Sequence, residues 1–183
     1  MTKPGILALQ GCVDPHISFF NKLGVNCIEI KNSIQLARID RIILPGGESS
    51  TMLKLLKANK LFVDLKNFIT DHPTWGICAG AILLAKTVEN PTQESFNAIN
   101  IKATRNFYGS QLNSFKSNLE LFGKSVDVDF IRAPKLDPLS KGVEILASLD
   151  QQPVLLKSKN IIASSFHTEL GNDEIMHDFF LKM

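Results

Sequence analysis

Cys78 lies in the run Thr74-Trp75-Gly76-Ile77-Cys78-Ala79-Gly80, followed at once by the apolar Ala81-Ile82-Leu83-Leu84-Ala85. A short apolar stretch, a Gly-x-Cys-x-Gly turn and a second apolar stretch predict a strand, a sharp turn and a helix. The glycines allow backbone to approach where a Cβ would clash. The same pattern built around serine is the nucleophile elbow of hydrolases. A helix N-terminus at such a turn favours a thiolate and a developing oxyanion. The chemistry on offer is therefore nucleophilic attack by a thiol on an acyl carbon, and it needs a base to take and return a proton.

Four histidines could supply that base. His16 falls in the first predicted helix, His72 precedes Pro73 in a loop, and His177 falls in the last predicted helix. His167 follows the strand-like Ile161-Ile162-Ala163-Ser164-Ser165-Phe166 and precedes Thr168-Glu169. On an extended segment, residues i and i+2 face the same side. Glu169 can then orient the His167 imidazole and stabilise its protonated form, as the acid of a triad does. A third element is Gly46-Gly47-Glu48-Ser49, a glycine pair after a strand, which can present N–H groups to an oxyanion. No Gly-Lys-Ser/Thr follows it, so it is not a P-loop. Arg105 and Arg132 sit in apolar or turn-like surroundings, and a guanidinium suits a substrate carboxylate. Each signal has a plainer explanation alone: a buried structural cysteine, a surface His and Glu, a tight turn capped by Ser49 or Ser50, arginines in surface ion pairs. A cysteine on an elbow together with a late His-x-Glu is a much rarer coincidence.

The elements that must hold these residues follow from periodicity. Ile6-Leu7-Ala8-Leu9, Cys27-Ile28-Glu29-Ile30 and Ile42-Ile43-Leu44 read as buried strands. Asp14-Pro15 opens a helix as N-cap and first helical residue, with Ile17, Phe20 and Leu23 on one face and Gly24 closing it. A helical region covers 50–70. Strands alternating with helices imply a parallel sheet covered on both faces, with sites at the carboxyl ends of its strands. Both Gly46-Gly47 and Cys78 fall at such ends. Beyond Cys78, short strands are expected near 99–104, 116–121, 126–131, 143–148, 153–157 and 160–164. An amphipathic helix is expected from Asp173 to Met183, with Met176, Phe179, Phe180 and Met183 on one face, and a mobile loop over 86–98.

Composition narrows the function classes. The 183 residues form one domain with 44% hydrophobic and 21% charged residues, as in ordinary globular proteins. A net charge of +2 without a Lys/Arg block argues against a nucleic-acid partner. No apolar run approaches the ~18 residues of a membrane span. Cys12, Cys27 and Cys78 show no disulfide-framework spacing, which points to a reducing cytoplasm. Cysteine and histidine are too scattered for a zinc site.

With these residues in view, the chain resembles the class I, triad-type glutamine amidotransferases, and among them the glutaminase subunits of pyridoxal 5′-phosphate synthases. The matching runs are Leu9-Gln10-Gly11 with His16, Leu44-Pro45-Gly46-Gly47-Glu48-Ser49-Ser50-Thr51-Met52, Gly76-Ile77-Cys78-Ala79-Gly80, Arg105-Asn106-Phe107-Tyr108-Gly109-Ser110-Gln111, Ser114-Phe115, Phe130-Ile131-Arg132-Ala133-Pro134 and Ser165-Phe166-His167-Thr168-Glu169-Leu170. They run in family order across nearly the whole chain. The elbow and His-x-Glu are common to many amidotransferases, whereas the other long runs are specific to this subunit.

The resemblance implies an α/β, three-layer flavodoxin-like fold with a mostly parallel central sheet, spanning 1–183 as a single glutaminase domain. It implies Cys78 as nucleophile on L-glutamine, His167 as acid and base, and Glu169 as its orienting partner. It also implies Gly47 and Ala79 as oxyanion donors. Gly46, Gly47, Glu48, Ser49, Arg105, Ile131 and Arg132 would bind glutamine. Ammonia would pass to a barrel-shaped synthase subunit in a hetero-oligomer, with Gln10-Gly11 and the first helix near that partner, and with no metal or cofactor in this chain. The sequence departs from the family pattern at Ile77 for Thr, Ser110 for Arg and Thr168 for Pro, and it lacks the usual Gly-Leu before Ile99. Competing readings are a glutaminase serving another synthase such as imidazole glycerol phosphate synthase, a free-standing γ-glutamyl hydrolase, and a non-catalytic subunit that organises a synthase.

Overall fold

The computed structural model describes residues 2–108 and 114–183. The chain begins β1 (Pro4–Leu7), α1 (Asp14–Lys22), β2 (Ile28–Ile30), α2 (Ser33–Leu36), β3 (Arg41–Leu44), α3 (Ser49–Ala58), α4 (Phe62–Asp71), β4 (Thr74–Ile77) and α5 (Ala79–Leu84). It continues β5 (Ala85–Glu89), β6 (Ile99–Thr104), β7 (Phe115–Leu121), β8 (Lys124–Phe130), β9 (Lys135–Pro138), β10 (Glu144–Leu149), β11 (Gln152–Ser158), β12 (Ile161–Ser164) and α6 (Ile175–Leu181). The central sheet has the order β10-β11-β12-β4-β3-β1-β2. Strands β12, β4, β3, β1 and β2 are parallel, while β11 and β10 run antiparallel at one edge. The expected α/β architecture with a mostly parallel central sheet is the one observed.

Alternation along the strands divides the core in two, because successive side chains leave a strand on opposite faces. Leu7, Ile42, Leu44, Ile161 and Ala163 join one core with α3, α4 and the small β5-β6-β9 sheet. Ile6, Ile43, Trp75, Ile77 and Ile162 join the other, with Phe20 of α1, Met176 and Phe180 of α6, and the β7-β8 hairpin. These layers cover the sheet on both sides. Arg41, at the start of β3, donates to the carbonyls of Phe180 (3.0 Å) and Leu181 (2.8 Å), which ties α6 to the sheet. The two-residue hairpin turn at Phe122-Gly123 has φ of 51° and 78°, the positive pair that a type I′ turn requires.

Several boundaries differ from the sequence expectation, each for a local reason. Asp14 is the first residue of α1 and not its cap; the cap position is Val13, without a side-chain bond. The helical region 50–70 is two helices, broken where Lys60 takes φ 56°. The cap of α3 is Glu48, whose carboxylate accepts from the Ser50 and Thr51 N–H groups, so neither Ser49 nor Ser50 fills that place. The stretch 86–98 is not a free loop. It opens as β5, directly after α5, and then packs down: Phe96 is buried and stacks on Phe62 at 4.8 Å, and Glu94 pairs with Lys57. Strand β9 has no counterpart in the expected elements; it pairs with β6 through a four-residue register. The last helix is shorter than expected and buries Met176, His177 and Phe180.

All six residues of α5 are buried, as befits a helix that is apolar all round. It lies so close to the sheet that a Cβ on Gly80 would sit 2.0 Å from the Leu44 carbonyl oxygen, and a Cβ on Gly76 would sit 2.7 Å from that of Gly80. Both obstacles are backbone and cannot swing aside. Replacing Gly80 by Ala is expected to cost about 2–3 kcal/mol. In a chain of this size that lowers Tm by ~5–10 °C, which a thermal melt of the variant beside the wild type measures directly.

Candidate active site

Strands β12, β4, β3 and β1 are neighbours and run in one direction, so the loops at their carboxyl ends converge. Gln10-Gly11-Cys12 follows β1, Gly46-Gly47-Glu48 follows β3, Cys78 follows β4 and His167 follows β12. Together with Arg105, Asn106, Ile131 and Arg132 they line a cavity of about 550 Å³. Carboxyl ends of adjacent parallel strands are where open α/β sheets form their sites.

Cys78 stands at φ 48°, ψ −100°, a strained backbone for a residue with a side chain. Its N–H donates to the Ser164 carbonyl of β12 at 2.8 Å, and its carbonyl accepts from Ile82 at 3.1 Å in the first turn of α5. Held between sheet and helix, the thiol faces the cavity with 7% of the residue exposed, 3.8 Å from the Ile131 carbonyl oxygen. Ala79 is the first residue of α5, where an N–H has no intrahelical acceptor.

His167 is positioned from both sides. It exchanges backbone bonds with Asp129 of β8, His167 N–H to Asp129 O at 2.8 Å and Asp129 N–H to His167 O at 3.0 Å. Its Nδ1 meets Glu169 Oε1 at 2.5 Å. That leaves Nε2 for the cavity side. Burial would lower the imidazole pKa, but hydrogen bonds with Cys78 and Glu169 and the Glu169 charge prevail, and it is pushed up to about 10. Burial likewise works against the Glu169 carboxylate. The hydrogen bond and charge of His167, with a smaller contribution from His16, nonetheless hold its pKa below the usual carboxylate value. The pair closes with Thr168 between its members, so the proline expected there is not needed for the contact.

The glycine loop is shaped by what presses on it. A Cβ on Gly46 would lie 2.2 Å from His167 Cε1, so the imidazole rests directly on the loop backbone. A Cβ on Gly47 would meet Gln10 Oε1 at 2.5 Å, and that same oxygen accepts the Glu48 N–H at 2.9 Å. Among the described residues the Gly47 N–H has no acceptor. Ser49 Oγ donates to Gln93 at 3.0 Å, which brings the 86–98 segment behind the loop.

Glu48 lines the cavity, but its oxygens are engaged: Thr51 N–H at 2.6 Å, Ser50 Oγ at 2.6 Å and Arg105 Nη2 at 2.8 Å. Its partial burial would raise the carboxyl pKa; the hydrogen bonds from Ser50 and Thr51 outweigh this and hold it down at about 2. Arg105 is thus placed by Glu48. Arg132 takes φ 44°, a bend that turns the chain at the cavity rim.

The structure brings every expected pocket residue together, with Ala79 and Glu169 directly behind the cavity wall. Ser110 lies outside the described residues. Reading the sequence placed Gln10 and Gly11 near a partner subunit and did not name Cys12, Ile82, Asn106 or Leu170 as site residues, yet all six line the cavity. Of these, Asn106 and Leu170 lay within quoted family runs, Cys12 directly follows one, and Ile82 lies in the apolar stretch after the elbow. Among the described residues no three His, Cys, Asp or Glu side chains converge to hold a metal ion, and no helix is long and apolar enough to cross a membrane.

The chain is similar to known proteins over nearly its whole length. A subunit of pyridoxal 5′-phosphate synthase, PdxT, from Koribacter versatilis is 43% identical over 183 residues, covering 99% of this chain and 95% of its own. The PdxT of Thermotoga maritima is 42% identical, covering 99% and 98%. A solved glutamine amidotransferase superposes with a TM-score of 0.91 at 37% identity, covering 98% of this chain and 97% of its own. A second one, from Thermotoga maritima, reaches 0.63 at 14% identity, which speaks for the fold alone. Residues 6–183 match the description of one family throughout. With a match that runs through residues 6–183 and relatives this similar over nearly the whole length, the chain belongs to the SNO glutamine amidotransferase family.

Proposed function

We propose that the chain hydrolyses L-glutamine to glutamate and ammonia, with Cys78 as nucleophile, His167 as acid and base and Glu169 as its orienting partner. It hands the ammonia to the barrel-shaped synthase subunit of a pyridoxal 5′-phosphate synthase in the cytoplasm. Residues 1–183 act as one glutaminase domain in that hetero-oligomer. The observation that carries this reading is the convergence of Cys78 and His167 on one cavity with Glu169 bonded 2.5 Å behind the imidazole. Family membership supports glutamine as substrate, and the names of the relatives support the pathway.

The reaction divides into two acyl transfers. Cys78 Sγ, its proton passed to His167, attacks the side-chain amide carbon of glutamine, and the carbonyl oxygen becomes an oxyanion between the Gly47 and Ala79 N–H groups. Each such donor is worth ~10²–10³ in rate. His167 gives its proton to the amide nitrogen, the C–N bond breaks, ammonia leaves, and a glutamyl thioester remains on Cys78. Water then attacks the thioester and gives a proton to the now neutral His167. The C–S bond breaks, glutamate departs, and the thiol–imidazole pair returns to its starting state. Glu48 and Arg105, already paired, and the Ile131-Arg132 bend hold the amino-acid end of glutamine, while Gly46 and Ser49 keep the loop in shape.

Cys78→Ala is expected to lower glutamate release by ~10⁴-fold or more, measured with the synthase subunit present, while the fold and Tm are kept. Wild-type activity that rises with the synthase subunit supports the pathway. A complex that assembles but releases no glutamate would instead identify a subunit that only organises the synthase.

The raised His167 pKa also sets a pH dependence. Its charge-stabilised form contributes to stability below the unfolded value near 6.5, and that contribution is lost as pH rises through about 10. Activity should decline on the same alkaline side, where His167 lacks a proton for the leaving ammonia. Removing the Glu169 charge lowers the His167 pKa, so Glu169→Gln should move the alkaline limb of the kcat profile toward neutral pH. A limb at the same pH in both proteins would contradict the assigned roles.

A further inference from the structure

Behind Glu169 lies a buried histidine pair that hydrolysis by Cys78, His167 and Glu169 does not account for. His16 of α1 and His177 of α6 are both fully buried, although 161 residues separate them. His16 Nδ1 meets His177 Nε2 at 2.8 Å. His16 Nε2 stands 3.7 Å from Glu169 Oε1, the same oxygen that binds His167 Nδ1 at 2.5 Å. The rings are fixed by aromatic neighbours: His177 stacks on Phe19 at 4.7 Å and meets Phe20 and Trp75 edge-on, and His16 meets Trp75 edge-on. Burial lowers the pKa of His16 to about 4 and that of His177 to about 3. Both rings are therefore neutral at physiological pH, each with a single N–H.

Two proton arrangements are then possible, and they are not equivalent. If His16 Nδ1 carried the proton, its Nε2 lone pair would face the Glu169 carboxylate, and the His177 Nδ1–H would be buried without an acceptor, because that atom has no partner among the described residues. If His177 Nε2 carries the proton and donates to His16 Nδ1, then His16 Nε2–H points at Glu169. The atom left bare on His177 is then a lone pair and not an N–H. The second arrangement replaces a repulsive contact by a charge–dipole attraction: the one N–H left without a hydrogen bond is then His16 Nε2–H, which faces a carboxylate across 3.7 Å, and not His177 Nδ1–H.

We propose that His16 and His177 are positioning residues for the triad: His177 fixes the tautomer of His16, and His16 Nε2–H steadies the Glu169 carboxylate that orients His167. This rests on the glutaminase reading of Cys78, His167 and Glu169. The path runs from α6 through α1 to the end of β12, so two helices outside the cavity support the imidazole inside it. The titratable groups that act on the pair are Glu169 and His167, both from the segment after β12.

The direct test is imidazole ¹⁵N NMR of the histidine-labelled chain near neutral pH. Both His16 and His177 are expected as Nε2–H tautomers; His16 as the Nδ1–H tautomer would overturn the proposal. The kinetic test measures glutamate release with the synthase subunit present. His16→Leu should lower kcat by about 10-fold, the lower end of what losing a partner one step behind a reacting residue costs, with little change in KM. It should also shift the alkaline limb of kcat toward neutral pH. His16→Gln, whose amide keeps an N–H toward Glu169, should recover most of both. His177→Phe keeps the aromatic packing but not the bond, and should shift the His16 tautomer and lower kcat, which decides the matter even if His16→Leu does not fold. Folded His16→Leu and His177→Phe proteins with wild-type kcat and an unmoved limb would overturn the proposal. If Cys78→Ala and Glu169→Gln lose activity in the same series, the triad stands and positioning alone fails; if they keep it, the glutaminase reading fails.

Discussion

The pocket depends on how closely one helix approaches the sheet. Helix α5 presses its first turn onto the end of β3, with the Gly80 Cα beside the Leu44 carbonyl and Gly76 beneath Gly80. A chain leaving β4 and entering a helix that lies so flat on the sheet has to turn within a single residue. Cys78 makes that turn at φ 48°, ψ −100°. Such a conformation costs about 1–3 kcal/mol and persists because the surroundings leave no alternative. Here the surroundings are a helix buried on every side and a strand bonded to both neighbours. The thiol is exposed to the cavity because the backbone beneath it cannot relax.

Around that fixed point, polar groups are arranged with few degrees of freedom. His167 is bonded through its backbone to Asp129 and through its ring to Glu169, so neither its position nor its tautomer is free. Glu48 caps α3 and positions Arg105, one carboxylate serving a helix end and a cavity wall. Buried polar groups are costly unless paired, and here the pairs link different elements: hairpin to strand end, helix cap to rim arginine. The two hydrophobic cores on either face of the sheet supply the rigidity that such pairing requires.

Much of this is legible in the amino-acid sequence. The Gly-x-Cys-x-Gly turn, the His-x-Glu pair and the glycine loop each bring their own local geometry, and local geometry is what short motifs encode. Strands such as Ile42-Leu44 were visible as apolar runs. Less visible were features set by tertiary partners. Ala85 leaves α5 for β5 with no glycine or proline between, because pairing with β6 outweighs local propensity. Lys135–Pro138 reads as a turn-like stretch until β6 gives it a partner. Nothing local showed that Glu48 would also cap α3 and pair with Arg105. The meeting of His16 with His177 has no signature in sequence at all, since it is made by two helices from opposite ends of the chain.

The contact between Gly46 and the His167 ring has a genetic consequence. With the Cε1 atom only 2.2 Å from where a Cβ would be, any side chain at position 46 displaces the imidazole or the loop. Every amino-acid change reachable from a glycine codon by one base introduces a Cβ. Position 46 therefore has no neutral neighbours in sequence space. The loop is brittle to point mutation at a place that contributes no side chain to the chemistry, and a lineage that lost this glycine could recover the ring's place by reversion far more easily than by compensation.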